Sequence, residues 1–307
     1  MSKIVVTGGY GFIGSHFVNY VLKNTKDEIT IVDKLTYAAN IKNVTGNVKF
    51  IRKDICDVDT YELGTFDYLV NFAAESHVDN SIRDGRPFFK SNVEGTFNLI
   101  EVARKNPKLK KFVQISTDEV YGDMADSYII NMRAREDDPI APSSYYSASK
   151  ASSDLVVLSA SRTFNLPYII TRTCNNFGEN QHKEKFIPKI LDSILNGSVV
   201  PLYGDGRQIR EWIHADDNAD AIYKIMKSDK VNEIYNIGSG QSFENIELIK
   251  SFAKIVGKNV EFQHVEDRLG HDRKYALSSM KYEKDFGEIK KTDLLQWVEN
   301  YLRRKGV

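Results

Sequence analysis

The run Thr7-Gly8-Gly9-Tyr10-Gly11-Phe12-Ile13-Gly14 stands between a short β-branched run, Lys3–Thr7, and an amphipathic stretch, Phe12–Lys23. A glycine-rich turn joining a strand to a helix admits few folds. Without a Cβ at 8, 11 and 14, the backbone can turn tightly, approach a diphosphate and seat the helix on the strand. The helix N-terminus then offers free N–H groups and the positive end of its dipole to an anion. Purely structural turns can also carry such a pattern, so the following residues matter. Asp33 ends the next β-branched run, Ile29–Asp33, 19 residues after Gly14. A carboxylate there can bond the adenosine ribose and repel a 2′-phosphate, which points to NAD over NADP. Lys34 and Arg52 weaken that preference slightly. Asp54 and Ile55 are placed to touch the adenine, though Asp54 is equally suited to capping a turn. Ala73, Tyr146 and Lys150 complete the expected cofactor set with Gly8, Gly11, Phe12, Ile13, Gly14, Asp33, Lys34, Asp54 and Ile55.

Strand-like runs at Lys3–Thr7, Ile29–Asp33, Val48–Arg52, Tyr68–Asn71, Lys111–Ser116 and Tyr168–Arg172 alternate with helical patterns at Phe12–Lys23, Phe88–Lys105 and Tyr145–Phe164. This alternation predicts an α/β fold: a Rossmann-type, doubly wound parallel sheet. After Thr173 the rhythm loosens. Helices are expected at Glu184–Leu195, Asp216–Lys227, Ile246–Ile255 and Asp293–Arg304, with short strands at Val200–Tyr203 and Tyr235–Ile237. The expected division is a cofactor domain at 1–173 and a smaller C-terminal α+β substrate-binding lobe at 174–307, with segments free to interleave.

Composition narrows the partners. Forty-two basic residues balance 42 acidic ones among 307, so charge gives no reason to expect nucleic acid or an anionic membrane. No apolar stretch approaches the roughly 20 residues of a membrane helix, and Ile4–Val6 is too short for a signal peptide. Cys56 and Cys174 are the only cysteines. Without a CxxC or Cys/His cluster, neither a metal site nor a disulfide framework is expected. Two free thiols suit the cytoplasm.

Tyr146 and Lys150 form a YxxxK pair, which a helix brings to one face. An ammonium beside a phenol favours phenolate and makes a base usable near neutrality. Thr117-Asp118-Glu119 ends the strand-like run before Gly122. Carboxyl ends of parallel strands open into the ligand crevice, and two adjacent acids whose pKa values are driven apart can act as acid and base. A solvated acidic loop and a surface Tyr/Lys pair are the commoner fates of such motifs; their position after a complete cofactor half favours chemistry.

The segments TGGYGFIG, VDKLTYA, FAAESHVDNSI, STDEVYG, YSASK, GDGRQIREWIHADD and DRLGHDRKYA occur in this order from Lys3 to about Tyr275. Together they resemble the dTDP-glucose 4,6-dehydratases of the extended short-chain dehydrogenase/reductases. Sugar-nucleotide epimerases share the glycine turn and YxxxK but generally lack the Asp of Thr-Asp-Glu, so Asp118 separates the two. The resemblance implies NAD-dependent C4 oxidation of a nucleotide-bound glucose, loss of water across C5 and C6, and return of hydride to C6. It implies Tyr146, Lys150 and Thr117 at the 4-hydroxyl, Glu119 as base at C5 and Asp118 as acid at the C6 hydroxyl. It further implies Arg210, Asn245 and Arg273 at the diphosphate, Pro201 and Tyr203 at the base, and His77, Asn176 and Lys185 as substrate contacts. Asn92 is expected to support the active-site strands. UDP-glucose is the nearest rival substrate, since one methyl in a pocket discriminates by only ~1–3 kcal/mol; 4-epimerisation is the rival reaction.

Tyr145 replaces the family's usual proline, and Asn180 and Lys183 stand where prolines or aromatics are common. Segment 123–138 is unfamiliar, and its mixed character predicts a mobile cover. A homodimer through the helices around Phe88–Lys105 and Tyr145–Phe164 is expected from the family, although the same apolar spacing would serve packing on the sheet.

Overall fold

The computed structural model describes residues 1–125 and 132–306. Part of the expected cover at 123–138 therefore lies outside the described residues. Its described flanks are tied to the C-terminal half: Asp123 accepts the N–H groups of Arg273 and Lys274, and Arg133 pairs with Glu211 at 2.9 Å.

Strands β1 (Lys3–Thr7), β2 (Glu28–Val32), β3 (Lys49–Ile51), β4 (Tyr68–Asn71), β5 (Lys111–Thr117) and β6 (Tyr168–Thr173) build the sheet first. The chain then leaves it for β7 (Asn175–Phe177), β8 (Val200–Tyr203) and β9 (Ile209–His214), and returns as β10 (Glu233–Ile237). The sheet order is β10-β6-β5-β4-β1-β2-β3 with every pair parallel. Strand β10 corrects the expectation for Tyr235–Ile237, which was assigned to the smaller lobe. It forms the edge of the main sheet, parallel to β6, with Ile234 beside Ile170 and Ile237 beside Thr173, and Tyr235 and Ile237 are buried in the core there.

Helix Ala215–Lys227 also returns, packing on helix Phe12–Asn24 through His16–Asp216 and Tyr20–Asp220 hydrogen bonds. Strands β11 (Ser242–Glu244) and β12 (Phe262–Val265) pair with β9 and β8 in the lobe. Segments of the two parts thus interleave after residue 174.

Alternation along each strand feeds two cores. Ile4 and Val6 face Phe17, Val21, Ile222 and Ile225, whereas Val5 faces Leu99, Val102 and Val157. A third core in the lobe gathers Ile190, Trp212, Phe252 and Trp297.

The expected helix Phe88–Lys105 is a composite. A turn at Arg86–Phe88 leads into a π-helical stretch, Phe89–Glu94, before regular helix resumes at Gly95–Ala103. Helix Tyr145–Phe164 agrees with the sequence reading. A capping box between Ser144 and Ser147 opens it, and Asn165, at φ 54°, ends it.

Candidate active site

The order of the sheet reverses about β1, which has β2 on one side and β4 on the other. Such a switch point opens a crevice at the carboxyl ends of the strands. Helix Phe12–Asn24 begins there at Gly11 with no side-chain cap, leaving its first N–H groups to the crevice. Gly8 is held at φ 65°, and a Cβ on it would meet the Ala73 nitrogen at 2.7 Å. A Cβ on Gly14 would run into the Gly8 carbonyl. Both are obligatory glycines, one for the turn and one for helix–strand contact.

Asp33 is buried, accepting the N–H of Tyr10 at 3.0 Å and of Leu35 at 2.8 Å, so its carboxylate is fixed on the crevice wall. Asp54 caps the Cys56 N–H at 3.1 Å, the turn role expected for it, and also lines the crevice. Lys34 donates to Asp54 at 3.3 Å, which satisfies its charge, and Arg52 is exposed outside the lining. The expected cofactor residues Gly8, Gly11, Phe12, Ile13, Gly14, Asp33, Lys34, Asp54, Ile55 and Ala73 all line one cleft. An uncapped helix end, a glycine turn that excludes side chains and a fixed carboxylate on the crevice wall together fit NAD.

The same cleft continues to Thr117, Asp118, Glu119, Tyr146 and Lys150. Strand β5 ends at Thr117, whose hydroxyl donates to Asp118 at 3.1 Å, accepts the Glu119 N–H at 3.3 Å and hydrogen-bonds the Tyr146 phenol. Lys150 Nζ donates to the Ile115 carbonyl at 2.6 Å.

Burial pushes the Asp118 carboxyl well up, and the charges of Glu119 and Glu211 push it further. Its Oδ2 is buried with no partner. Burial also raises Glu119, but Arg268, Arg210 and Lys185 oppose the rise. Two adjacent carboxyls thereby acquire different environments: anions weigh more at Asp118, and cations more at Glu119. Asp118 is held the more strongly toward its protonated form.

The phenol behaves differently from the sequence expectation. Burial raises Tyr146, Glu119 and Asp118 add to the rise, and only the Thr117 hydrogen bond opposes it. The Lys150 ammonium is turned to the Ile115 carbonyl, and burial pulls it down to about 8. Depressing the phenol thus requires charge beyond that of Lys150.

Of the expected substrate residues, Asn176 and Lys185 line the cleft. Asn176 is committed internally, donating to Cys174 O at 2.9 Å and accepting from Asn218 at 2.9 Å. Lys185 Nζ donates to the Ser76 carbonyl at 3.1 Å. Arg210 stacks on Tyr275 at 4.3 Å and donates to the Asp272 carbonyl, with its charge felt at Glu119. Arg273 is held by Asp205 at 2.6 Å. Pro201 and Tyr203 lie on β8, and Asn245 starts a lobe helix; these residues, like Arg273, His77 and Arg210, stand outside the lining that the cofactor and catalytic residues share. His77 Nδ1 is buried and unpartnered.

Sequence reasoning missed Arg268. Its charge is the largest force holding Glu119 down, and it bears on His77, Lys185 and Arg210 as well. Its place in the DRLGHDRKYA segment was the available signal.

The chain matches the NAD dependent epimerase/dehydratase family over residues 4–238. It is 45% identical to the low-salt glycan biosynthesis protein Agl12 of Haloferax volcanii, over 91% of this chain and 90% of that one. It is 39% identical to a dTDP-glucose 4,6-dehydratase of Streptomyces niveus, over 93% of this chain and 87% of that one. The solved dTDP-glucose 4,6-dehydratase DesIV of Streptomyces venezuelae, with NAD and TYD bound, superposes with a TM-score of 0.92. It is 39% identical, with 99% of this chain and 98% of that chain covered.

Proposed function

Because the chain belongs to the NAD dependent epimerase/dehydratase family, we propose that it is a hydro-lyase converting dTDP-glucose to its 4-keto-6-deoxy derivative. The observation that carries this reading is Asp118, a buried carboxyl with a free oxygen and a raised pKa beside Glu119. A 4-epimerase needs the Tyr/Lys pair but has no use for a second acid at that place.

NAD held by Gly8, Gly11, Gly14 and Asp33 would supply the hydride acceptor for C4 and the hydride donor for C6. The chain's own residues handle protons and position. Thr117 and Tyr146 receive the 4-hydroxyl, and the Tyr146 oxygen takes its proton. Oxidation at C4 acidifies the neighbouring C5–H, which Glu119 then removes. Asp118 Oδ2 delivers its proton to the C6 hydroxyl as that group leaves as water. The water lost carries the C6 hydroxyl and the Asp118 proton; Glu119 returns its proton to C5 as hydride reaches C6, and the 4-hydroxyl proton taken by Tyr146 balances the one Asp118 gave up. Burial of Asp118 keeps the proton in place until that step, since an ionised carboxylate there is disfavoured.

Lys185, Arg210 and Arg268 bring three positive charges to bear near Glu119, suited to the substrate's diphosphate and sugar. On this reading Arg273 and Asn245 join Arg210 at the diphosphate, Pro201 and Tyr203 take the base, and His77 the sugar. Asn176, which lines the same cleft, is a further substrate contact on this reading.

Phe97, Tyr145, Leu155 and Phe164 are each more than half exposed on neighbouring helices. A second copy covering this face gives a homodimer, and a sizing experiment with only monomer refutes it. No described helix is long and apolar enough to cross a membrane, and the free thiols Cys56 and Cys174 favour the cytoplasm.

Incubating the purified protein with dTDP-glucose, without added NAD, tests the reading by product mass. Loss of one water supports it. An unchanged mass with an inverted C4 centre would move the protein to the epimerases.

A further inference from the structure

Helix Tyr145–Phe164 places Tyr146, Lys150 and Asp154 at i, i+4 and i+8, one stripe facing β5. Three consecutive β5 residues each take one member. Thr117 bonds Tyr146, the Ile115 carbonyl accepts Lys150 at 2.6 Å, and Ser116 donates to Asp154 Oδ2 at 3.1 Å.

The β5–β6 register sets Arg172 beside Ser116, and Arg172 Nε reaches the same Oδ2 at 3.1 Å. Asp154 and Arg172 are both almost wholly buried, and Asp154 Oδ1 has no partner. One carboxylate therefore serves two buried cations, Arg172 by contact and Lys150 one helical turn away. The sequence motif ends at Lys150; this third residue emerges only from strand register.

We propose that Asp154 is a positioning residue for the C4 oxidation step: pinned by Ser116 and Arg172, it keeps Lys150 an ammonium at a fixed distance from Tyr146. The inference rests on the function assigned above. The charged and titratable groups facing Lys150 are Tyr146 and Asp154 on its own helix, Asp118 and Glu119 beyond β5, and Arg172 on β6. Burial alone pulls Lys150 down, and Asp154 is the charge that opposes it. A buried ion pair serving structure only would leave Lys150 indifferent to Asp154.

The test compares wild type, D154N and the double variant D154N/R172M, which removes both charges while keeping volume and guards against the misfolding an unpaired buried arginine causes. An opposite charge within about 4–6 Å is worth about 1–3 pH units. The alkaline limb of kcat should therefore move down by at least about one unit in both variants, with KM for dTDP-glucose and co-purifying NAD unchanged. A folded double variant with the wild-type pH profile overturns the proposal.

A second readout needs no turnover. Lys150 is at about 8 in the fold against 10.5 when unfolded, so the unfolded chain binds more protons and stability rises with pH across that window. Lowering the folded value further makes that rise in Tm begin at lower pH in the double variant. An unshifted Tm profile likewise overturns the proposal. If the wild type converts no nucleotide sugar, the functional assignment fails while the Tm comparison still decides the role of Asp154.

Discussion

Replacing Asp118 by Asn separates proton removal from water loss. The Asn side chain keeps the shape and an acceptor for the Thr117 hydroxyl, now 3.1 Å from Asp118 Oδ1, but has no acidic proton for the C6 hydroxyl. General acid catalysis contributes about 10²–10⁴-fold, or ~2.7–5.4 kcal/mol at 1.36 kcal/mol per decade. Dehydration of dTDP-glucose should fall by that factor. Oxidation at C4 should survive, because Tyr146, Thr117 and Lys150 at the 4-hydroxyl make no use of the Asp118 proton. Glu119 also keeps its three cations, so C5 should still exchange. In deuterated water the variant should thus return dTDP-sugar carrying deuterium at C5, with little loss of water.

Stability offers an independent reading of the same carboxyl. Its folded pKa lies well above the ordinary 3.8, so the folded state binds the proton more tightly. Stability is full below 3.8 and declines as pH rises through the folded value. The Asn variant lacks that decline and should melt higher than wild type at neutral pH. Wild-type dehydration by D118N would refute the acid assignment, and a lower melting point at neutral pH would refute the electrostatic account of its burial.

Other perturbations have equally definite outcomes. E119Q should abolish deuterium exchange at C5 while leaving NADH formation on substrate addition; exchange at the wild-type rate would remove Glu119 as the base. R268Q removes the largest force holding Glu119 ionised, so the acid limb of kcat/KM should move to higher pH, and an unmoved limb would separate Arg268 from the base. Gly8→Ala forces a side chain against the Ala73 backbone at positive φ, costing about 1–3 kcal/mol. Its Tm should fall and co-purified NAD should drop; full NAD content would contradict the tight turn.

Local motifs announced much of this molecule. The glycine turn needs only neighbouring residues to create its shape. Tyr146 and Lys150 share a face through the helical period alone, and the capping serines lie within the same few residues. Thr117-Asp118-Glu119 marked the strand end, and the two carboxylates' order along the chain came with it. The Phe88–Lys105 pattern was legible as helix, but its π-helical centre was not: apolar spacing does not report where Asn92 must turn inward to clamp the Glu75 backbone and Ser149.

Long-range geometry decided the rest. A short β run such as Glu233–Ile237 carries no mark of which sheet it joins; the open edge of β6 settles that. Arg268 is one arginine among many until folding sets it against Glu119, and Asp154 is an ordinary helix residue until strand register brings Arg172 to it. The division of labour between Asp118 and Glu119 is of the same kind. Residue identity supplies two nearly equal carboxyls, and only burial and charges contributed by distant segments drive their affinities for a proton apart.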